Sequence, residues 1–563
     1  MRSSAALVVV AVVLAALAAL PVAAVLAHGL APGHANVWSH LAATVLPGFA
    51  ANTAALVVLV GGGVAFGGTV TAWTITHRRF PGDRFFEWAL LLPLAMPAYV
   101  MAYAYTDWLQ YAGPVQTALR QAFGWQRGDY WFPDVRSLPG AAVMFIAVLY
   151  PYVYLLARTA FIERPPSLAE AARTLGLDAR RRFWRVDLPL ARPAIAGGVA
   201  LALMETLADY GTVAYFAVDT FTTGIYRAWF SLGDRVAAAQ LSAALLAFVI
   251  GAILLEHWSR GAARVEGGAR QRSLAAPARP RLAGLRAWTA TAICALPIIF
   301  GFALPLVLLA RLALSESELP VAARFANLAW NSLRVSGLTA VLAVILATLV
   351  AYAIRLSPGP LTRGTSRLLA LGYAVPGSVL AVGVLLPVSA IDVALAAVIQ
   401  EHLGLRPGLL LTGTIAALIY AYLVRYFAVA WNGIEPGFAR ITPSMDAAAR
   451  SLGAGSAGTL VRVHAPLLAR SAAAAALLVF VDVMKELPAT LVMRPFNFDT
   501  LATQAYTLAK DERLAEAALP SLAIVAVGVL PLLLLARTVR RGAGLGRREV
   551  TTVQRGLAPT TTA

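Results

Sequence analysis

The chain is 563 residues long, 59% of them apolar and only 13% charged, with a mean hydropathy of +0.72. That balance excludes an ordinary soluble globular domain, and a single cysteine, Cys294, excludes an internal disulfide framework or a cysteine-based metal site. The formal charge of +18 would suit nucleic acid, but the basic residues concentrate in alternate connecting segments. This is the positive-inside pattern of a membrane protein, so no nucleic-acid partner is expected.

Apolar runs of about 20 residues, enough to cross a hydrocarbon core, follow one another at 5–27, 53–76, 86–107, 138–160, 194–216, 236–256, 288–310, 335–354, 368–391, 408–431, 471–493 and 518–536. They are continuous and rich in Ala and Leu, which excludes the short alternating segments of a membrane barrel. The reading is an all-α integral membrane protein with about twelve transmembrane helices. Placing the N-terminus in the cytoplasm puts both termini there, with Arg334, Arg425 and Lys485 among the few basic residues in or at the edges of spans. The first run is followed by Ala-rich, cleavage-like sequence, but an internal repeat supplies it with a partner run at 288–310, so it is kept as a helix.

The repeat appears when the sequence is compared with itself 277 positions on, the separation of Pro166 from Pro443. Pro166, Ser167, Ala171, Ala172, Arg173, Leu175, Gly176, Arg185, Val186, Pro189 and Leu190 recur as Pro443, Ser444, Ala448, Ala449, Arg450, Leu452, Gly453, Arg462, Val463, Pro466 and Leu467. The same offset pairs Phe221, Thr223, Ala228 and Asp234 with Phe498, Thr500, Ala505 and Asp511. Six spans per copy give both copies one membrane orientation, related by an axis along the membrane normal with a path between them. The division expected is an accessory helix and outer segment at 1–52, a first module at 53–256, a basic cytoplasmic linker with a second accessory helix at 257–329, a second module at 330–536 and a basic cytoplasmic tail at 537–563.

The cytoplasmic loop after the fourth span reads PPSLAEAARTLGLDARRRFWRVDLPLARP. Ser167 and Glu170 have capping-box spacing, Gly176 suits a helix end, and Pro189 is expected to stop a second short helix before the membrane span. Here the sequence resembles the permeases of ATP-binding-cassette importers. Their cytoplasmic signature of Glu-Ala-Ala, Gly and an aliphatic before Leu-Pro is matched by Glu170, Ala171, Ala172, Gly176, Val186, Leu188 and Pro189. The second copy keeps Ala448, Ala449, Gly453, Val463 and Pro466 but has Ala447 at the acidic position, Asp446 one residue before it, and Ala465 in place of Leu. The resemblance implies two type I importer permease modules in tandem, with each loop docking on one of two copies of a cytoplasmic ATPase. The glycine run at 61–69 lacks the lysine of a phosphate loop and lies inside a span. Its glycines read as helix-packing positions. ATP is therefore expected to be used by a partner, with no cofactor, catalytic residue or resident metal on this chain.

Charges inside spans are costly and point to a cavity or a partner. Glu205 and Asp209 follow the first loop, and Asp482, Lys485 and Glu486 the second. The 277 offset superposes Glu205 on Asp482 and Asp209 on Glu486, each pair spaced i, i+4 as on one helical face. These four acids and Tyr210 are the candidate translocation path, in oxygen chemistry suited to a hard cation. Contacts between the halves or helix caps are the plainer reading of the same acids. The stretches at 208–242 and 485–506 are similar to the fused, two-module ferric iron permeases. That resemblance implies a bacterial inner-membrane protein, a periplasmic iron-binding partner and alternating access. Thiamine, phosphonate and polyamine permeases share the plan, and an ion-gradient-driven transporter would also show repeats and buried acids.

Overall fold

The computed structural model describes residues 2–30, 39–40, 43–163, 171–172, 174–260, 279–315 and 322–533. Among these there is no β-strand; an isolated bridge joins Arg79 to Arg281. Eleven helices are long and apolar enough to cross a membrane, and a bent pair, Asp83–Ala95 with Ala98–Phe123, makes a twelfth. The apolar run 86–107 is thus no straight span: the chain turns by 89° at Pro97, whose extended backbone separates the two pieces.

Three further runs are interrupted, the run 368–391 by extended backbone at Val375 and Pro376, so that its span is Gly377–Leu403. The run 194–216 ends as a helix, α6 (Leu188–Ala208), before a separate turn, α7 (Gly211–Tyr215). The run 471–493 likewise divides into α16 (Ala465–Met484) and α17 (Pro488–Met493). Pro189, expected to stop a helix, instead sits in the first turn of α6, directly after a π-helical turn, Phe183–Asp187. The same arrangement precedes Pro466 (Leu460–His464) and Pro305 (Ile299–Ala303). Proline has no N–H to offer the carbonyl one turn back. In each case the residue before it donates instead across the wider turn, Leu188 to Phe183, Ala465 to Leu460 and Leu304 to Ile299, so the helix continues.

The two halves are laced together. The first helix, α1 (Arg2–Gly29), packs on the second module: Ala11 and Ala15 share a core with Val335, Ala340 and Ala343, and Tyr420 donates its hydroxyl to the Leu17 carbonyl at 2.6 Å. The second accessory span, Gly284–Ser315, packs on the first module, where Tyr105 donates to the Phe300 carbonyl at 2.6 Å and Cys294 is buried beside Tyr150 and Tyr154. The last span of each half crosses over as well. Leu241, Leu245 and Val249 pack with Val379, Leu380 and Val382, and Ala517, Ile524 and Val525 join the core of the first module. Sequence order assigns each accessory helix to the module it precedes; packing assigns it to the other.

Small residues set the closest approaches. A Cβ on Gly68 would lie 2.5 Å from Val153 Cβ and 2.8 Å from the Tyr150 carbonyl, and one on Gly198 would lie 2.6 Å from Val153 Cα. Helices α2 (Leu46–His77), α5 (Leu138–Glu163) and α6 therefore meet backbone to backbone at Val153. We expect Gly198→Leu to destabilise the membrane-embedded fold by about 1–3 kcal/mol or more through overpacking. Gly62→Ala, with nothing within 4 Å, should leave the melting temperature in detergent unchanged or slightly raised.

Candidate functional site

The interruption of α6 and α16 positions the acids. Inside an apolar bundle a broken helix leaves N–H groups without partners, and a carboxylate at the break meets them. Asp209 accepts from Thr212 N at 2.8 Å and Thr212 Oγ1 at 3.1 Å. Glu486 accepts from Ala489 N (2.8 Å), Thr490 N (3.0 Å) and Thr490 Oγ1 (2.6 Å). These two acids therefore cap α7 and α17 and do not share a helical face with their i−4 neighbours, because the helices end before them. Glu205 and Asp482 stay on α6 and α16: Glu205 accepts from the Tyr373 hydroxyl at 2.6 Å, and Asp482 pairs with Lys485 at 3.0 Å.

All four acids nevertheless line one cavity of about 100 Å³ between the halves, together with Tyr99, Tyr152, Tyr373, Tyr426, Arg425 and Lys485. Gly211 of the first half sits there against Leu487 of the second, where a Cβ would lie 2.7 Å from the leucine. Four carboxylates face two bases, so the wall is formally acidic by two charges. Tyr210 is not among the lining residues. Its ring stacks on Tyr226, centroids 3.6 Å apart, and tilts against Tyr506 at 5.7 Å. Arg425 and the cavity tyrosines were not among the candidate path residues; the isolated arginine inside an apolar run was the available signal.

Past the acids the repeat changes register. Asn52 Nδ2 donates to the Asp219 carbonyl (2.8 Å) and Asn331 Nδ2 to the Asp499 carbonyl (3.0 Å). Thr220 with Thr223 and Thr500 with Thr503 form matching capping boxes on Phe221–Tyr226 and Leu501–Lys510. Equivalent residues are therefore 280 apart here (499 − 219), three more than in the loops. The pairings of Phe221, Thr223, Ala228 and Asp234 with Phe498, Thr500, Ala505 and Asp511 are superseded, because the second copy carries three extra residues between Glu486 and Phe498.

In the cytoplasmic loops, Ser167 and Glu170 lie outside the described residues. Ala172 and Ala449 are buried, whereas Ala171 and Ala448 are exposed. The second loop contains a helix, α15 (Pro443–Ser451), which ends in a Schellman motif: Ala454 N donates to Ala449 O and Gly453 N to Arg450 O, both at 3.0 Å. The first loop repeats the long bond, Leu177 N to Ala172 O. Gly176 and Gly453 take left-handed φ of 73° and 79°, which glycine adopts without strain. Leu175 and Leu452, just before them, are 79% and 87% exposed. Leu188 is half-buried, and Pro189 and Pro466 are exposed.

An ion cluster anchors α15 from behind. Asp446 accepts from Arg355 Nε at 2.7 Å and from Nε2 of the buried His464 at 2.6 Å. Arg355 also donates to the carbonyls of Phe438 (3.2 Å), Ile441 (2.8 Å) and Thr442 (3.2 Å). It thereby meets the end of the preceding helix, Ile415–Ala439, where unpaired carbonyls favour a cation. The first half inverts the pair. Asp187 occupies the position 277 before His464 (464 − 187), with His77 Nε2 and Arg182 Nε each 3.4 Å from its carboxylate.

Residues 63–260 match the model of the family described as binding-protein-dependent transport system inner membrane component. The chain carries a permease domain of this family. Among similar proteins, the Fe(3+)-transport system permease protein FbpB 2 of Haemophilus influenzae is 26% identical over 86% of this chain and 88% of its own length. The ferric transport system permease protein FbpB of Actinobacillus pleuropneumoniae is 23% identical over 78% of this chain and 62% of its own. The molybdenum transport system permease protein ModB of Escherichia coli is 26% identical over 36% of this chain and 87% of its own. The long matches run through both halves of the permease, whereas the short one has the length of a single module.

Burial raises the Asp446 carboxyl, but hydrogen bonds and charge from Arg355 and His464 outweigh it and hold the group below the usual aspartate value. A depressed carboxylate stabilises the fold above its unfolded pKa, about 3.9, and loses that contribution as pH falls through the folded value. Asp446→Asn should therefore lower stability by about 1.5–3 kcal/mol near neutral pH. The difference from wild type should close only in strong acid, as read by melting against pH. A constant difference down to pH 3 would assign the effect to packing.

Proposed function

We propose that this permease is the conducting subunit of an ATP-driven importer that carries ferric iron across the bacterial inner membrane. A periplasmic binding protein delivers the cargo, and two cytoplasmic ATPase subunits dock on the loops at 167–189 and 444–466. The observation that carries the iron reading is the cavity at the junction of the halves, where four carboxylates and four tyrosines supply oxygen from both repeats. Hard trivalent cations favour such ligands, and the long relatives that match both halves are named as ferric permeases. Among the described residues no three His, Cys, Asp or Glu side chains converge to hold a metal ion. On this reading the acids act as an electronegative passage.

Docking is supported by the paired loop ends. Each presents an apolar Leu175 or Leu452 beside a left-handed glycine, and the anchored α15 gives an ATPase a rigid element to push. No phosphate loop occurs on the chain, so hydrolysis belongs to the partner. Both termini are placed in the cytoplasm, with Gly128 outside.

Two experiments test this reading. In proteoliposomes holding the permease with its ATPase and supplied with binding protein, radioactive iron should accumulate only with ATP. Glu205→Gln and Asp482→Asn should cut the rate about ten-fold or more, the effect of losing one charged interaction. ATP-dependent molybdate uptake without iron uptake would overturn the ferric cargo, and uptake driven by an ion gradient without ATPase would overturn the importer. Reporters fused near Ala275 and after Arg548 should be cytoplasmic and one at Gly128 periplasmic; the opposite pattern would invert the topology.

A further inference from the structure

Every carboxylate on the cavity wall is already engaged: Asp209 and Glu486 as caps, Asp482 by Lys485 and Glu205 by Tyr373. What the wall lacks is an acceptor. The Arg425 side chain is 7% exposed, and its Nε and Nη1 atoms, both buried, donate no hydrogen bond within the protein. Nη1 lies 3.5 Å from Glu486 Oε1, but that oxygen accepts from Ala489 N at 2.8 Å. The guanidinium is held in place: its carbon stands 5.5 Å from the Tyr426 ring centroid. Gly377 leaves it room, since a Cβ there would come within 2.5 Å of Nη1.

The charge of Arg425 is paired with Glu486, but buried N–H donors that make no hydrogen bond are costly to keep, and these border the space proposed above as the cargo path. We infer that Arg425 is an oxyanion-binding residue, and that cargo occupies the cavity with a carboxylate, carbonate or phosphate group on this guanidinium. The inference rests on the cavity being that path, and it deepens the reading. A cation carrying oxyanion ligands suits a wall that is acidic overall yet keeps one cationic point with unfilled donors, whereas a bare aqua ion would leave those donors unfilled. Charge-assisted bonds from a fixed guanidinium to an oxyanion are among the stronger hydrogen bonds in proteins. The oxyanion has two possible sources, a ligand on iron or a free anion, and both present the same oxygens to Arg425.

The test uses the full-length permease in lipid nanodiscs and measures binding of inorganic phosphate, citrate and ferric citrate by equilibrium dialysis. Wild type should bind an oxyanion, Arg425→Gln should bind it about ten-fold or more weakly, and Arg425→Lys should recover part of the loss. Gly377→Ala, which crowds Nη1 and removes no charge, should also weaken binding, and it carries the test if Arg425→Gln does not accumulate. Tighter binding of ferric citrate than of citrate would assign the oxyanion to iron; equal binding of phosphate and citrate, indifferent to iron, would assign it to a free anion. Absence of binding by wild type, or equal binding by an Arg425→Gln protein that melts like wild type, would overturn the inference. The iron reading is judged separately, in proteoliposomes. Full-rate iron uptake by Arg425→Gln would leave ferric transport standing and remove the oxyanion, while oxyanion binding without any iron uptake would do the reverse.

Discussion

A helix that stops inside an apolar bundle must still satisfy its backbone, and the centre of this permease is organised by that requirement. Water cannot supply the missing acceptors there, so the chain does: Asp209 accepts from the amide of Thr212, and Glu486 from those of Ala489 and Thr490. Two expensive carboxylates become affordable because each replaces several unmet bonds. The breaks also open the space between the halves. A continuous helix presents only side chains to its neighbours, whereas the interruptions at 209–210 and 485–487 bring backbone, Gly211 and the acids to one junction. Structural capping and the cavity between the halves are thus consequences of the same break, and neither reading of the acids displaces the other.

The lacing of the halves bears on how such a junction can move. If each half packed only on itself, motion at the cytoplasmic face could separate them as independent bodies. Here α1 lies in the core of the second module, and the span Gly284–Ser315 lies in the core of the first. The final span of each half also crosses to the other, as the packing of Val249 with Val382 and of Ile524 in the first core shows. Separation would expose those shared apolar faces, so rocking about a connected interface is the motion the packing permits. The short contact of Gly211 with Leu487 then lies where a small rotation changes the cavity most directly.

Much of this was legible in the residues. Run length and composition gave the helices, and the 277 offset gave the two modules and the equivalence of Glu205 with Asp482 and Asp209 with Glu486. The glycines at 176 and 453 announced their left-handed turns. What was not legible has physical reasons. An apolar run reads the same whether its helix is straight or broken, so the bend at Pro97 and the ends at Ala208 and Met484 were hidden within hydropathy. The three-residue change of register past Glu486 was masked by Thr and Phe residues that recur by chance at the old offset; the true one is fixed by Asn52 and Asn331, which hold Asp219 and Asp499, and by the matching capping boxes at Thr220 and Thr500. Crossed packing of the accessory helices leaves no mark in one sequence, because either module offers an apolar face to receive them. Pro189 looked like a helix stop because a π-helical turn has no compositional signature.

The exchange of Asp187 for His464 shows how two copies of one module can diverge without losing the interaction. A buried acid alone would be left with uncompensated charge, and a buried imidazole alone with an unfilled donor. Changing one position is therefore tolerable only if its partner changes too. In the first half the acid stands at the base of the membrane helix, with His77 and Arg182 beside it. In the second half the imidazole takes that place, and the acid, Asp446, has moved onto the loop helix itself. The pair survives, but its connectivity differs. The second loop helix is bonded directly to Arg355 and His464, at the ends of two membrane helices, whereas in the first half His77, Arg182 and Asp187 join the membrane helices behind the loop. The second loop helix is thus fixed in place by charge, through bonds that reach two membrane helices at once.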